Sequence, residues 1–266
     1  MMTRAKYEAD YEPLQIITAA GEIYTLPANW SLSDAGSISF NHKLTDRSFT
    51  HGSALTGDGF ASGRTIKVSC NLYGATEQEY NEVVNQAYRY FGGTGYELRA
   101  GRADRRYKVA GCSKLDAKEL KGFKQRRAEV TVTLLLADPF RYATVPTKVT
   151  NEYAESVIED TMVIDNPSGI DVPVIWTFTP PAGGTMADIT IKHVESGQSF
   201  RLTDALLTAP AVGVVDAEKG TVRRDEFNAI NAFSGVFLHA KAGTNHYFVT
   251  CPAGKVTATF TGRWIV

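Results

Sequence analysis

Hydrophobic and polar residues alternate most clearly between Arg127 and Tyr142. The apolar positions of this stretch are Val130, Val132, Leu134 and Leu136, and the polar positions between them are Glu129, Thr131 and Thr133. A period of two residues, rich in β-branched side chains, predicts a strand with one buried face. We expect the strand to end at Asp138-Pro139, because proline has no N–H to donate to a sheet.

The residues after this strand show no period. Tyr142 to Lys148 is therefore predicted to be a connector, and residues 143–150 to be the easiest internal site of proteolysis. A chain of 266 residues has room for two domains that each bury a core. The predicted domains are residues 1–145 and residues 150–266.

Weaker strand patterns occur earlier in the chain. Ile16–Leu26 is predicted to form a hairpin, and alternation predicts half-buried strands at Ser37–Leu44 and Ile66–Leu72. Residues 45–63 form a glycine-rich segment between these two strands. Its Gly57-x-Gly59 pair is not interpreted as a phosphate loop, because a strand and not a helix follows it. The segment is expected to be a mobile loop or an interaction arm.

One helix is predicted in the first half. Thr76-Glu-Gln-Glu79 has the form of a capping box, and Gly92-Gly93 predicts a left-handed exit at the other end. The expected apolar stripe is Tyr80, Val83, Val84, Ala87, Tyr88 and Phe91. A single amphipathic helix among strands is expected to pack across a sheet.

From about residue 150 the pattern is one of short strands separated by tight turns. Val174, Trp176 and Phe178 would share one face of a strand, and turns are expected at Glu195-Ser-Gly197 and Ala217–Gly220. Regular short strands without a helical period predict a β-sandwich of galectin-like or jelly-roll type. The predicted fold is thus mainly β in both halves.

The charge of the chain is uneven. The net charge of −1 gives no general attraction to nucleic acid. Residues Arg99–Arg127 include eleven basic and three acidic side chains, or +8, which leaves −9 for the rest. Nucleic-acid contact is one interpretation, but Tyr107 and Phe123 are too few for an interleaved stacking surface. The favoured interpretation is a hairpin that is solvated or meets the acidic side of a partner subunit.

Motifs of catalysis and cofactor binding are not found in the sequence. There is no GxSxG, HExxH, EF-hand or Walker sequence, so neither an enzyme nor a cofactor is predicted. The histidines are isolated in sequence and not grouped with carboxylates, and the three cysteines are expected to be reduced thiols. The histidines are His42, His51, His193, His239 and His246, and the cysteines are Cys70, Cys112 and Cys251. Without a signal peptide or an apolar membrane span, a soluble protein made in a reducing cytoplasm is expected.

Several short motifs resemble the distal tail protein of long-tailed, non-contractile bacteriophages when they are taken in order. They are Asp138-Pro139-Phe140-x-Tyr142, Asn166-Pro-Ser-Gly169 with Pro173, Gly220-Thr-Val222, Leu238 with Gly243-Thr-Asn245, and Arg263-Trp264. Arg223-Arg224-Asp225 differs from the family, in which an Asn-Gly turn is common. The resemblance spans nearly the whole chain.

This resemblance implies a structural protein of the virion at the tail tip, made in the host bacterium. The N-terminal domain would be a sandwich with one helix, related to tail-tube subunits, and would form a hexameric ring. The C-terminal, galectin-like domain would project outward and dock receptor-binding or side-fibre proteins. The expected partners are other copies of the chain, the tail tube above and the hub below, with DNA only in transit through the ring and no membrane anchor.

The same resemblance suggests which residues lie at assembly surfaces. Strands Ser37–Leu44 and Ile66–Leu72 would form the channel wall, and the basic stretch would lie away from the lumen. The predicted interface residues are Asn41, Lys43, Lys67, Asn71, Arg102, Arg105 and Arg106. The alternatives are a carbohydrate-binding module that uses Trp30, Trp176 or Trp264, and a cell-wall hydrolase, for which no paired carboxylates stand out. Trp176 and Trp264 are expected to be core residues.

Overall fold

The computed structural model of the protein describes residues 13–48, 51–73, 76–120 and 127–265. Antiparallel strands dominate these residues, and the predicted fold class, mainly β with sandwich architecture, is confirmed. The described residues divide into two compact units. The first ends at Thr144 and includes Ile265, and the second spans Val145–Trp264.

The first unit is built on one curled antiparallel sheet. Its strands are β1 (Gln15–Ile17), β2 (Ile23–Thr25), β3 (Trp30–Asp34), β6 (Arg64–Tyr73), β7 (Thr94–Arg99), β8 (Arg105–Leu120), β9 (Arg127–Leu136) and β10 (Arg141–Ala143). The order in the sheet is β2-β1-β7-β8-β9-β6-β3, and β10 also pairs with β8. A separate hairpin consists of β4 (Lys43–Asp46) and β5 (Ser53–Thr56).

Strand β9 lies between β6 and β8, and its alternation is the one predicted. Val132 lies opposite Val68 on one side and Leu115 on the other. The four apolar residues of β9 are buried in a core that includes Trp30 and Phe91, whose rings are 5.4 Å apart. The predicted strand Ile66–Leu72 is confirmed within β6, and the hairpin predicted at Ile16–Leu26 is confirmed as β1–β2.

The predicted helix is confirmed as α1 (Glu77–Phe91), which contacts β8 and β9. The Thr76 hydroxyl accepts from the Glu79 N–H at 3.2 Å, and the Glu79 carboxylate accepts from the Thr76 N–H at 2.6 Å, which completes the capping box. Two details were wrong. Tyr88 is 74% exposed, and the helix ends at Gly92 with φ of −73°, so no left-handed residue is needed there.

The strand predicted at Ser37–Leu44 was wrong. Only Lys43 and Leu44 belong to a strand, β4, and residues 39–48 are all exposed. Alternation predicts a buried face only where another layer of the fold covers one side of the strand. Here the segment leads into a hairpin of two strands whose two faces are both open.

The predicted connector Tyr142–Lys148 was also wrong in part. Tyr142 lies in β10, which pairs with β8, and Lys148 lies in β11 (Thr147–Tyr153). Only Thr144–Pro146 separates the two strands. The threonine and valine content of this region favours extended structure even though its hydrophobic pattern is irregular.

The second unit is a sandwich of two antiparallel sheets. The strands of its first sheet are β11 (Thr147–Tyr153), β14 (Ile175–Thr179), β17 (Gly213–Asp216), β18 (Thr221–Arg224), β19 (Phe227–Asn228) and β23 (Gly254–Phe260). The second sheet contains β12 (Val157–Asn166), β15 (Asp188–His193), β16 (Ser199–Thr203), β20 (Phe233–Gly235) and β22 (Gly243–Cys251). Three short strands, β13 (Val172–Pro173), β21 (His239–Ala240) and β24 (Arg263–Trp264), and a 3-10 turn (Ile230–Ala232) complete the unit.

The core of the second unit is formed by side chains of both sheets. Val174, Trp176 and Phe178 are fully buried, as predicted, and the Trp176 ring lies 5.1 Å from that of Tyr247 in an edge-on contact. The prediction that Trp264 is a core residue was wrong, because its side chain is only half-buried and lies outside the core cluster. The pattern extended the period of β23 through Gly262, where the strand has already ended.

The three cysteines are free thiols, as predicted. Cys70 and Cys251 are buried, and Cys112 is partly exposed. Burial raises the pKa of the Cys70 thiol to about 11, and burial together with the Asp160 charge raises the pKa of Cys251 to about 11. These thiols act as small apolar side chains of the strands that carry them.

The two tryptophans of the second unit predict a contrast in stability. Trp176→Ala should cost about 3–5 kcal/mol in free energy of unfolding, because it deletes a fully buried aromatic side chain. Trp264→Ala should cost clearly less, because that ring is partly solvated. Chemical denaturation of the two variants measures the difference, and equal losses would contradict the assigned positions.

Proteolysis should be restricted to the residues between the strands. We expect limited digestion to cut at Thr144–Pro146, where Val145 is 75% exposed, and to give pieces of roughly 16 and 13 kDa by residue count. Mass spectrometry of the fragments locates the cut. A first cut inside β9 or β11 would contradict the division of the chain.

Candidate functional site

The hairpin formed by β4 and β5 exposes apolar side chains. We call residues 40–61 the arm; residues 49 and 50 are outside the described part. A bridge between Phe40 and Ala61 closes its base, and Leu44 lies opposite Leu55. These two leucines are 69% and 66% exposed, and Phe60 is 74% exposed. An isolated hairpin of two strands is marginally stable in water, so contact with a further surface would stabilise the arm.

The glycine pattern of the arm has a structural explanation. Gly57 has φ of +111°, and a Cβ atom there would lie 1.9 Å from the Asn41 carbonyl oxygen. Only glycine allows the two sides of the arm to approach this closely. The Gly57-x-Gly59 pair therefore closes the arm and has a structural role, not that of a phosphate loop.

Asn41 and Lys43, two of the predicted interface residues, lie on the arm. The Asn41 side chain donates to Asp58 Oδ1 at 3.0 Å, and the Lys43 carbonyl accepts from the Thr56 hydroxyl at 2.9 Å. Both residues are exposed. They are close in sequence and in space, but they belong to the hairpin and not to a sheet wall.

Lys67 and Asn71 are exposed on one face of β6. Lys67 Nζ lies 3.6 Å from Asp34 Oδ2 on neighbouring β3. Ser69 lies between them on the same face, but it is buried and 3% exposed. This face of β6 is therefore polar at two positions and covered at the third.

The predicted interface arginines are paired with carboxylates. Arg102 binds both oxygens of Asp104, at 3.0 and 3.1 Å, and Arg105 Nε lies 3.5 Å from the same carboxylate. Arg106 binds Glu97 at 2.8 Å across the β7–β8 pair. Burial would raise the pKa of Asp104, but the hydrogen bond and charge of Arg102 and the charge of Arg105 lower it below its ordinary value.

Two further arginines, Arg64 and Arg141, were not predicted. We call them the arginine pair. Each side chain is more than nine-tenths buried, and the guanidinium carbons lie 5.4 and 4.5 Å from the centre of the Tyr107 ring. Arg64 Nη2 donates to the Ile265 carbonyl at 3.3 Å, and Arg141 Nη2 donates to the Ala100 carbonyl at 2.6 Å.

The charge of the arginine pair is not balanced within residues 13–48, 51–73, 76–120 and 127–265, where neither guanidinium lies within 4.0 Å of a carboxylate. Neither Nε atom has a hydrogen-bond partner among these residues. Burial lowers the pKa of Arg64, and the charge of Arg141 lowers it further, while contact with Tyr107 opposes both effects. No sequence pattern indicates this pair. Its members are 77 residues apart, and each lies beside a different alternating segment.

Arg64 also lines a cavity of about 550 Å³ at the end of β6 and β9. Ser37 and Thr65 supply hydroxyl groups to its wall, and Ala110, Leu135 and Ala137 supply apolar surface. The cavity is open to solvent, so a group from outside can reach it. It has the mixed lining that recognises a ligand with one charged end and an apolar stem.

Two histidines that are isolated in the sequence share one carboxylate in the folded chain. His246 Nδ1 lies 2.6 Å from Glu195 Oε1, and buried His193 Nε2 lies 3.2 Å from Glu195 Oε2 and 3.0 Å from Asn245 Oδ1. Nε2 of His193 faces acceptors and must carry hydrogen, while Nδ1 accepts from the Ser196 N–H at 3.3 Å. Both ring nitrogens of His193 therefore have hydrogen-bond partners.

The side-chain clusters described above are suited to stabilising the fold and to making contacts. In the described ranges, no three His, Cys, Asp or Glu side chains converge in a way that could hold a metal ion. The described helix is also too short and too polar to cross a membrane. Three candidate contact surfaces remain. They are the arm, the carboxylate-bound arginines Arg102, Arg105 and Arg106, and the arginine pair Arg64 and Arg141.

The two β-rich units and the single described helix define an all-antiparallel fold that has a known counterpart. It is similar to the crystal structure of the Dit protein (gp 19.1) of phage SPP1, described as a paradigm of the hub adsorption apparatus of phages that infect Gram-positive bacteria. The TM-score is 0.65 with 14% sequence identity, and the match covers 95% of this chain and 99% of the SPP1 protein. This likeness shows a common fold.

The other comparisons add no relative. Neither a protein-family model nor a curated protein matches the chain. A structure of infectious bursal disease virus, strain Gx, gives a TM-score of 0.17 at 12% identity, over 94% of this chain and 72% of the viral one, and carries no argument.

The contacts of Glu195 with His193 and His246 predict a pH-dependent contribution to stability. Burial would raise the pKa of Glu195, but hydrogen bonds from the side chain and backbone of His246 and the charge of His193 lower it below 4.5. A lowered carboxyl pKa stabilises the fold above the unfolded value, and this contribution is lost as pH falls through the folded value. Glu195→Gln should therefore lower Tm at pH 7 and have little effect near pH 3.

Thermal melts at the two pH values measure this change. Glu152→Gln is the matched control, because Glu152 is exposed on β11 and no described side chain hydrogen-bonds to it. An equal loss for Glu195→Gln at both pH values would contradict an electrostatic contribution.

Proposed function

We propose that this chain is a structural protein of a phage tail tip. Residues 1–145 would form a hexameric ring that joins the tail tube to the hub and surrounds the DNA channel. Residues 150–266 would form a galectin-like domain that projects from the ring and docks receptor-binding or side-fibre proteins. The protein would thus act by assembly within the virion tail and not as an enzyme.

The observation that carries this proposal is the fold likeness to SPP1 Dit over nearly the whole of both chains. Both units of this chain are included, because 95% of its length is covered. A match limited to one sandwich would support little, since β-sandwiches have many functions. A match of two units in the same order is more specific.

The arm supports self-assembly independently of the fold. Its exposed residues Phe40, Leu44, Leu55 and Phe60 place large apolar side chains in water on a hairpin with little support of its own. Exposed apolar surface of this kind is typical of an interface. In a ring, the arm of one subunit would pack on the next, which would bury these side chains and order the hairpin.

The carboxylate-bound arginines support a channel that does not retain DNA. Arg102 and Arg105 share Asp104, and Arg106 binds Glu97, so two carboxylates offset most of these three positive charges. Free arginines along a channel would bind phosphate strongly. We place Lys67 and Asn71 towards the lumen and the carboxylate-bound arginines at contacts between subunits or with the tail tube.

The carbohydrate-binding alternative is not favoured by the tryptophans. Trp30 and Trp176 are almost completely buried and cannot present a flat face to a sugar. Trp264 is half-buried, so its ring would offer a sugar only part of a flat face. We therefore put forward only the structural function.

The test is the mass and shape of the purified full-length protein. A hexamer has six times the chain mass of 29.0 kDa, and negative-stain images should show rings. Leu44→Ser with Leu55→Ser should abolish the ring and leave the Tm of the monomer, measured at high dilution, within about 2 °C, since exposed substitutions rarely affect the fold. Leu206→Ser is the matched control, because Leu206 is 68% exposed in the second unit. The proposal would be contradicted if the wild-type protein were monomeric in solution and also present as a single copy in assembled tails.

A further inference from the structure

The arginine pair is the most unusual feature of the first unit. A guanidinium group stays protonated at any ordinary pH, so it cannot escape the cost of burial by losing its proton. Buried charges in proteins are normally paired or bound to an ion. Arg64 and Arg141 are both more than nine-tenths buried, and no described carboxylate lies within ion-pair distance of either. The aromatic face of Tyr107 balances only part of two positive charges.

We infer that the arginine pair is a binding site for a carboxylate carried by a glutamate or aspartate side chain of a second copy of this chain. The entry is the cavity lined by Arg64, which is the member of the pair that the acid would meet first. The inference rests on the proposed function only where it assigns the carboxylate to a second copy of this chain. The binding site itself is argued from the first unit alone.

The wall of the cavity favours a carboxylate over phosphate. Ala110, Leu135 and Ala137 are apolar, and Leu135 is 41% exposed, so this surface gains from contact with methylene groups. An acidic side chain brings such methylenes behind its charge, whereas phosphate would put hydrated oxygens against the same surface. Ser37 and Thr65 can supply further hydrogen bonds to the anion.

The charge distribution of the chain favours a second copy as the source. The stretch Arg99–Arg127 carries +8, and the rest of the chain, which includes Arg64 and Arg141, carries −9 and so holds most of the acidic side chains. Identical subunits with separated charges attract one another when the basic side of one faces an acidic side of the next. A contact of this head-to-tail kind closes into a ring when its rotation allows.

The first experiment compares stability in a chloride buffer at pH 7. At a protein concentration at which sedimentation shows a monomer, Arg64→Met should leave Tm unchanged or raise it, because it removes a buried charge that has no carboxylate partner among the described residues. Arg224→Met is the matched control, because Arg224 binds nearly buried Asp204 at 2.6 and 2.8 Å, and its loss should lower Tm. An equally large fall for Arg64→Met would overturn the inference, since it would mean that the charge is balanced within the subunit.

The second experiment replaces chloride by butyrate, a carboxylate with an alkyl stem, at constant ionic strength. Wild type and Arg224→Met should gain about 2–4 °C in Tm, while Arg64→Met should gain nothing. No gain for either the wild type or a variant without residues 1–12, or a gain with inorganic phosphate and none with butyrate, would overturn the carboxylate assignment. A gain that appears only after removal of residues 1–12 would assign the acid to this chain's own N-terminal segment and overturn the second copy.

The third experiment measures self-association by sedimentation. Arg64→Met should weaken it roughly 30-fold or more, the effect of losing one partner of a buried charge pair. Unchanged association would overturn the second copy as the source. A wild type that does not associate would contradict the proposed ring and this source together, whereas the butyrate experiment would still decide whether the carboxylate site exists.

Discussion

The first unit depends on the position of β9 between β6 and β8. Each neighbour pairs with it along most of its length, and the buried alternation from Val130 to Leu136 fixes which face of the sheet meets α1. A shift of one residue would turn every one of these side chains to the opposite face. The register therefore also determines where Arg64 lies, because Arg64 is opposite Leu136 at the end of the ladder.

At one end of the second unit, buried asparagine side chains hold the loops together by hydrogen bonds. Asn166 is completely buried, and its amide donates to the carbonyls of Ile170, Ala240 and Lys241. Asn245 accepts from the Lys241 N–H and donates to the carbonyl of Gly243. These side chains satisfy backbone groups that irregular loops would otherwise leave unpaired. The motifs at Asn166 and Gly243-Thr-Asn245 thus have a structural explanation, which is the closure of loops at the end of the sandwich.

Local periodicity predicted the buried strands and the helix well. The alternation of β6 and β9 and the capping box at Thr76 were confirmed, because each depends on residues that are close in sequence. Ser37–Leu44 has the same alternation, yet it leads into an exposed hairpin, since a pattern does not show whether another layer covers it.

The candidate contact surfaces could be predicted only in part. Arg102 and Arg105 were recognised as basic, but their shared ion pair with Asp104 depends on the turn before β8. The arginine pair and the sharing of Glu195 by His193 and His246 depend on contacts between distant strands. Sequence distances of 77 and 51 residues separate Arg64 from Arg141 and Glu195 from His246. Such pairs follow from sheet order, which a single sequence does not determine.

The free cysteines determine how the fold responds to its surroundings. Only a thiolate attacks a disulfide or an oxidant, and the pKa values of about 11 leave Cys70 and Cys251 almost entirely protonated near neutral pH. Their burial also blocks access by other thiols. Both units are thus held together without disulfides. Glutathione or oxygen finds no sulfur–sulfur bond to break and no reactive sulfur at these two positions to modify.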